Sequence, residues 1–401
     1  MENYIIFASI VDDATKKQVE QTATCDAYRD CELRIMPDCH AGSGCTIGSV
    51  IRYRHRVVPN TVGVDIGCGM RVIELGNVDI DLKRLDDCVT RLVPSGINIH
   101  EEAITDWDSF DSLICKQVID RNYIMRSIGT LGGGNHFIEL DADSLGNKYL
   151  VIHSGSRNLG VRVCNYWQEK AVANLENRKP IRDELIARLK AEGREKEISE
   201  ELKKLVYPQV NKELAYVEGE DLAGYLHDMC LCQEYAQLNR KAIADVILRS
   251  MDLEVVSCFE TIHNYIEMST RTIRKGAISA EAGKRVIIPM NMRDGSIIGI
   301  GKGNEDWFCS APHGAGRLMS RAQACKEINM EDFKRSMEGI YSTSVCDGTL
   351  DEAPMVYKPA DIIRKDIEPT VEIINVIKPL WNFKAKTSET PQARLAQMSV
   401  L

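Results

Sequence analysis

The segment Gly63-Val64-Asp65-Ile66-Gly67-Cys68-Gly69-Met70 sets a carboxylate and a thiol three residues apart among three glycines. Both groups ionise and ligate divalent cations, the thiolate as a soft donor and the carboxylate as a hard one. Glycine lets the backbone turn sharply and approach a bound ion or phosphate where a Cβ would clash. Alone, the segment reads equally well as a buried strand over residues 61–64 ending in a glycine turn with an incidental Asp and a free Cys. Its company tips the balance. Of the eight histidines, His136, His153, His263 and His313 each sit beside Asn, Ser or Gly after a strand or a glycine loop, where functional side chains are displayed. One such histidine is more often structural than a ligand. Four of them, with Asp65 and Cys68, point to a shared metal centre. His55, His100 and His227 lack that setting and read as surface or core residues.

The residue types leave the metal open. Cysteine with histidine suits zinc, while an added Asp and open positions also admit manganese or iron. Two ions sharing Cys68 as a bridge, roughly 3.5–4 Å apart, would stabilise both the entering and the leaving oxygen of a phosphoryl displacement. A second ligand-rich stretch, Met36-Pro37-Asp38-Cys39-His40-Ala41-Gly42-Ser43-Gly44, reads as a glycine-rich loop. Three successive side chains do not readily face one ion, so it is expected to shape or support the site. Familiar nucleotide signatures miss. Gly301-Lys302-Gly303 lacks the Ser or Thr that holds magnesium in a P-loop. Gly67-Cys68-Gly69 is followed by a strand rather than the helix of a dinucleotide fingerprint. No Lys-x-Asp-Gly is present to supply a lysine nucleophile.

The elements that must position these residues are mixed. Short β-branched runs alternate with glycine turns over Met1 to Arg71, as in Tyr4 to Ile10 and Cys45 to Tyr53, which predicts a β-rich first third. Leu82 to Leu92 is amphipathic. A glycine-dense loop, Gly129 to Glu139, precedes an apolar strand, Tyr149 to Ile152, that delivers His153-Ser154-Gly155-Ser156-Arg157 at its end. Residues 166–251 are predicted mostly helical, a hairpin or protrusion. Ile198, Leu202, Leu205 and Val206 keep helical spacing opposite a solvated charged face, and Pro180 and Pro208 mark breaks. Short strands return at Glu254 to Ile262, Arg285 to Pro289 and Ile297 to Ile300. A helix is expected over Leu318 to Glu327, then a helix and strand between Pro359 and Lys386. Residues 387–401 read as a loosely held tail. With no internal repeat or low-complexity linker, the simplest architecture is one large α+β unit with a helical insertion.

At 401 residues the chain can bury a large core. Its first residues lack the basic flank and long apolar core of a signal peptide, and no apolar run approaches the roughly 20 residues of a membrane helix. The fourteen cysteines are scattered singly, which fits core thiols in a reducing cytoplasm better than a disulfide framework. A formal net charge of −9 argues against non-specific coating of nucleic acid. It leaves room for an enzyme that grips one strand end in a local basic cleft.

The segments MPDCHAGSGCTIGSV, VGVDIGCGM, GTLGGGNHFIEL, HSGSR, IHNYIE and SAPHGAGR occur in that order between Met36 and Arg317. In this they resemble the RtcB family of GTP-dependent RNA ligases. The likeness extends to Asp351-Glu352-Ala353-Pro354, Tyr357 and Asn382-Phe383-Lys384, and so covers nearly the whole chain. It implies a single RtcB-like domain over residues 1–386, and a ligase that seals RNA carrying a 2′,3′-cyclic phosphate or 3′-phosphate to a 5′-hydroxyl, in RNA repair or tRNA splicing. It implies His313 as the nucleophile that becomes guanylylated by GTP. One manganese would be held by Cys68, His136 and His153, the other by Asp65, Cys68 and His263. The nucleotide pocket would draw on Asn135, His136, Glu139, His263, Asn264, Pro289, Asn291, Ser296, His313, Gly314, Ala315, Gly316, Tyr357 and Lys384. An archease-like activator is a further implied partner, and a monomer is expected.

Two details depart from the family pattern. Met290-Asn291-Met292-Arg293 stands where Gly-Ser-Met-Gly follows the proline, so Arg293 alters the charge beside the base, and Pro312 stiffens the approach to His313. Two rival readings are a metal-dependent 2′,3′-cyclic phosphodiesterase without ligation and a non-catalytic RNA-binding subunit. The first would not need Glu139, Ser296 and Lys384. The second would not need the ligand set.

Overall fold

The chain opens with strand β1 (Tyr4–Ile6), helix α1 (Asp13–Thr24) and strands β2 (Glu32–His40), β3 (Ile47–Arg52), β4 (Arg56–Val57) and β5 (Gly69–Gly76). Helices α2 (Leu82–Leu92) and α3 (Arg121–Ser127) lead to strands β6 (Phe137–Ala142) and β7 (Lys148–Ser154). A helical stretch follows: α4 (Arg157–Glu176), α5 (Lys179–Ala191), α6 (Ile198–Lys204), the short strand β8 (Val217–Glu218) and the long α7 (Gly219–Met251). Strands β9 (Ser257–Ile262), β10 (Asn264–Glu267), β11 (Thr272–Lys275), β12 (Ala277–Ser279), β13 (Arg285–Asn291), β14 (Gly295–Gly301) and β15 (Ser310–Pro312) come next. Helices α8 (Arg321–Glu327), α9 (Met330–Ser336) and α10 (Ala360–Asp366) precede the final strand β16 (Val371–Phe383). This computed structural model describes residues 3–205, 207 and 209–385. The expectations for Val206, Pro208 and the tail 387–401 lie outside the described residues.

The architecture is mixed α+β, built on two larger sheets. A seven-stranded sheet has the order β13-β14-β16-β6-β7-β5-β9, and a five-stranded one the order β1-β2-β3-β11-β10. The larger sheet curls nearly into a barrel: the Arg285 guanidinium of β13 lies 4.3 Å over the Phe259 ring of β9, so its two outermost strands meet. Met70, Val72, Phe137, Val151, Ile287, Ile298 and Ile377 fill its inner face. Its outer face carries Ile73, Leu75, Ile138, Leu140, Leu150 and Ile152 against the apolar sides of α2 and α7. The continuous apolar runs of β13 and β14 follow from burial on both faces.

Three elements differ from the reading of the sequence. Asp38, Cys39 and His40 lie on β2, not in a glycine loop; β2 pairs with β3 through an irregularity between Ile35 and His40 that accommodates Pro37. Residues 61–64 form no strand, since a helical turn at Pro59–Thr61 precedes the metal-type loop. Helix α1 stands within the stretch expected to be β-rich, and it buries only Thr15, Val19, Thr22 and Ala23, too few apolar residues for a stripe; its start is fixed by Asp12, whose side chain caps Thr15 N. Helicity also begins at Arg157, earlier than Tyr166. Within the stretch 166–251, α5 and α6 lie towards solvent, whereas α7 buries Tyr225, Asp228, Cys232, Tyr235, Asn239 and Arg240.

Candidate metal centre and nucleotide pocket

Three neighbouring strands explain why residues far apart in sequence converge. β5 pairs on one side with β7, setting Met70 opposite His153, and on the other with β9, setting Gly69 opposite Ile262. His153 therefore lies next to the end of one strand and His263 follows the other, with Cys68 just before the strand between them. β6 pairs with β7 through Phe137 and His153, which brings His136 alongside. The loop carrying Asp65 is held where a side chain on Gly155 would collide with it, since a Cβ there would lie 2.0 Å from Asp65 Oδ1.

The five ligand-type residues form one cluster. Cys68 Sγ lies 3.4 Å from His136 Nε2 and 3.2 Å from His153 Nε2. His136 Nε2 is 3.0 Å from Asp65 Oδ2, and His153 Nε2 is 3.3 Å from His263 Nε2. Two triads of potential ligand atoms result, Asp65–Cys68–His136 and Cys68–His153–His263, sharing the sulfur. The resemblance implied different trios, with His136 and His263 exchanged between them. The shared cysteine is common to both descriptions.

The chemistry of this donor set fits a cation. His136 Nδ1 lies 2.8 Å from the Leu131 carbonyl, which can only accept, so that nitrogen carries the proton and Nε2 turns its lone pair towards Asp65 and Cys68. Lone pairs of Asp65, His136, His153 and His263 then converge with a sulfur in a buried space, an arrangement that repels itself unless a proton or metal lies between. Protons are disfavoured on the imidazoles of His153 and His263, whereas the sulfur holds its proton until a cation displaces it. Burial pushes His153 and His263 well below the usual imidazole range and, with Asp65 adding to it, pushes the Cys68 thiol up. Burial alone would raise Asp65, yet His136 foremost holds it below the usual carboxylate range.

His313 stands beside this cluster, its ring centroid 4.7 Å from that of His263. Its Nδ1 meets Asp38 Oδ2 at 2.6 Å, and its backbone N–H donates to the same oxygen at 3.2 Å. Asp38 is fully buried on β2, and Lys358 Nζ donates to the carbonyls of Pro37 and Cys39 on either side of it, at 2.9 Å each. Gly316, with φ 74°, permits the turn after His313, since a Cβ there would lie 2.1 Å from the Asp38 carbonyl. Asp38 thereby fixes the ring and presents Nε2 for reaction. Replacing Asp38 by Asn removes the obligate acceptor and lets the other tautomer form; the rate of any reaction at His313 Nε2 is expected to fall about 10²–10⁴-fold. Single-turnover labelling of His313 measures this, and an unchanged rate would remove Asp38 from the assignment.

The nucleotide-pocket candidates fall into three groups. Pro289 pairs with Ser296 across β13 and β14, and the Pro289 carbonyl lies 3.3 Å from where a Gly314 Cβ would be, so these residues adjoin the turn His313–Gly316. Ser296 Oγ is buried without a protein partner. Lys384 Nζ lies 3.5 Å from the Asn135 carbonyl and 2.9 Å from Glu352 Oε2, the oxygen to which the Tyr357 hydroxyl donates at 2.7 Å. Asn264 is occupied with the loops: its amide donates to the Asp65 carbonyl and accepts from Gly276 N–H. Asn291 is likewise committed to its own turn, where it bonds Asp294 and the backbone of Arg293 and Asp294. Asp294 pairs with Arg293 at 2.8 Å, which offsets the charge that Arg293 introduces.

Glu352 belongs to the Asp351–Pro354 segment of the family resemblance, which gives it no role. It is buried and collects Arg317, Arg321, Tyr357 and Lys384, and Lys384 first among these cations overcomes the effect of burial and holds it below the usual range. Its place at the centre of these cations shows only in the three-dimensional pairing. Glu139 differs: burial pushes its carboxyl up to about 8, with Lys384 opposing, and Asp141 on the same strand face is pushed up by burial and by Glu139. Unfolded, a Glu ionises near ~4.3. Between there and about 8 the folded chain holds more protons than the unfolded one, so this carboxyl stabilises the fold at low pH and loses that effect as pH rises. The melting temperature of metal-free protein is expected to fall from pH 5 to pH 8, and Glu139→Gln to flatten that fall. Parallel wild-type and variant curves would contradict the assignment.

The family described as tRNA-splicing ligase RtcB matches residues 18–120 and 114–385. The chain belongs to the RtcB family. The RNA-splicing ligase RtcB of Escherichia coli K12 is 30% identical over 392 residues, covering 86% of this chain and 88% of that protein. RNA-splicing ligase RtcB1 of a second Escherichia coli strain is 31% identical over the same coverage. The tRNA-splicing ligase RtcB of Archaeoglobus fulgidus is 25% identical over 449 residues, covering 88% and 86%. The RtcB match spans every strand that carries a ligand-type residue. Among the described residues no helix is long and apolar enough to cross a membrane.

Proposed function

We propose that this RtcB-family ligase joins RNA ends bearing a 3′-phosphate or 2′,3′-cyclic phosphate to 5′-hydroxyl ends through a guanylylated His313, with GTP and two manganese ions as cofactors. A 3′-phosphate is a poor electrophile: its charge repels an incoming hydroxyl and it lacks a leaving group. In the first step His313 Nε2 attacks the α-phosphorus of GTP, forming an N–P bond as pyrophosphate leaves. The imidazolium that develops keeps its proton on Nδ1 and donates it in a hydrogen bond to the Asp38 carboxylate, whose charge balances it. The RNA 3′-phosphate oxygen then attacks the same phosphorus and frees His313. Attack of the 5′-hydroxyl on the RNA phosphorus expels GMP and closes the phosphodiester. A cyclic phosphate is first opened by water. Bound divalent cations would supply Lewis-acid polarisation of the phosphate oxygens, held by Asp65, Cys68, His136, His153 and His263.

The observation that carries this reading is the pairing of buried Asp38 with the partly buried His313, whose ring abuts His263 of the ligand cluster. A phosphodiesterase could use the cluster, and an oriented imidazole as a general acid or base, but it has no use for Glu139, Ser296 and Lys384 of the nucleotide pocket. Incubation with α-labelled GTP and manganese is expected to leave acid-labile, base-stable label on the wild-type protein. Absence of label, with cyclic phosphate still opened, would favour the phosphodiesterase.

A further inference from the structure

Two adjacent polar side chains on α7, Asn239 and Arg240, are completely buried although neither belongs to the ligand set. Arg240 Nη1 donates to the Gly67 carbonyl and to the Ser154 carbonyl, at 2.9 Å each. Those groups belong to the residue just before Cys68 and the residue just after His153. Arg240 Nη2 pairs with Glu260 at 3.3 Å, and Arg71 holds Glu260 from the other side at 2.8 Å. Asn239 Oδ1 accepts from the N–H groups of Gly129 and Thr130, and Nδ2 donates to the carbonyls of Thr130 and Gly155 and to Ser154 Oγ. Ser154 Oγ in turn donates to the Leu131 carbonyl at 2.8 Å, the acceptor that fixes the His136 tautomer. Gly67 lies directly on the helix, since a Cβ there would fall 2.9 Å from Gln233 Cα.

We propose that Asn239 and Arg240 are positioning residues for the metal centre. By tying down the backbone on either side of the ligands, they set the spacing of Cys68, His153 and His136 from one rigid helix. Stability alone is a weak reason to keep them: burying a guanidinium carries a large desolvation cost, and apolar residues of similar volume often serve a core as well or better. A ligand set, by contrast, needs its donors held within a few tenths of an ångström, and removing the groups that orient ligands typically costs about 10–100-fold in metal affinity. The inference rests on the metal-centre reading.

Cobalt(II) titration tests it, because a thiolate-to-cobalt charge-transfer band reports Cys68 coordination and the d–d bands report coordination geometry, neither of which a merely structural change in a folded protein would alter. Arg240→Met and Asn239→Leu are expected to bind cobalt about 10–100-fold more weakly, with a diminished charge-transfer band. Arg240→Lys should recover part of the loss, since an ammonium can still donate to both carbonyls. Glu260→Gln, which leaves Arg240 in place without its counter-charge, should fall between wild type and Arg240→Met. If Arg240→Met or Asn239→Leu fails to fold, Arg240→Lys and Glu260→Gln carry the test. Wild-type affinity and spectrum in the folded variants would overturn the positioning role alone. No cobalt uptake by the wild type would overturn the metal-centre reading and this inference with it.

Discussion

The His313→Ala protein is expected to fold, to keep its divalent cations and to acquire no label from α-labelled GTP, with ligation reduced by at least about 10⁴-fold. The size of the effect follows from the chemistry. Among the other described histidines, His136 meets a carboxylate only through Nε2 inside the ligand cluster, Asp65 at 3.0 Å, while His153 and His263 also turn Nε2 into the cluster and His40 bonds the Asp38 backbone carbonyl, with burial lowering it to about 4. His313 is absent from both ligand triads, so its loss should spare metal uptake. Covalent label surviving in His313→Ala would refute the nucleophile assignment. Label lost while cyclic-phosphate opening persists would separate the two chemical steps, since water opens the ring without a histidine carrier.

Cys68→Ala is expected to abolish stoichiometric uptake of both cations and to lower ligation by about 10³-fold or more, because the sulfur is the one atom common to both triads. His263→Ala or Asp65→Ala removes a ligand from one triad and should leave the other able to hold an ion. Serine at position 68 should not rescue, because its hydroxyl stays protonated at neutral pH and is a poor ligand. Elemental analysis after dialysis against manganese measures the outcome. Two ions retained by Cys68→Ala would show that the sulfur is not a bridge.

Much of this site can be read from residue types beside strand ends. The run Tyr149 to Ile152 announces a strand, and the histidine at its end becomes a ligand candidate before any coordinates are known. Helix α2 keeps the bounds its amphipathic pattern gives, Leu82–Leu92. What escapes the sequence is whatever depends on pairing between distant segments. Asp38 belongs to His313 only because β2 and the turn after β15 pack together across 275 positions. Glu352 gathers its cations from residues 317, 321 and 384. Asn239 and Arg240 look like an ordinary polar pair on a helix, and nothing local shows that loops wrap both faces. The cysteines conform more simply: all fourteen are free thiols, and most are buried.

The pairing of β5 with β7 and β9 also fixes when the site can exist. Cys68 waits for His153, 85 positions later, and the register that seats His263 forms only once β9 is made. Such non-local pairings form slowly, after the loops between them have closed. At about 5–20 residues per second of synthesis, a nascent chain exposes Asp65 and Cys68 for many seconds before their partners emerge. The second triad can thus form only once β9 is in place, and until residue 136 is made a growing chain offers passing metals only an incomplete pair of donors.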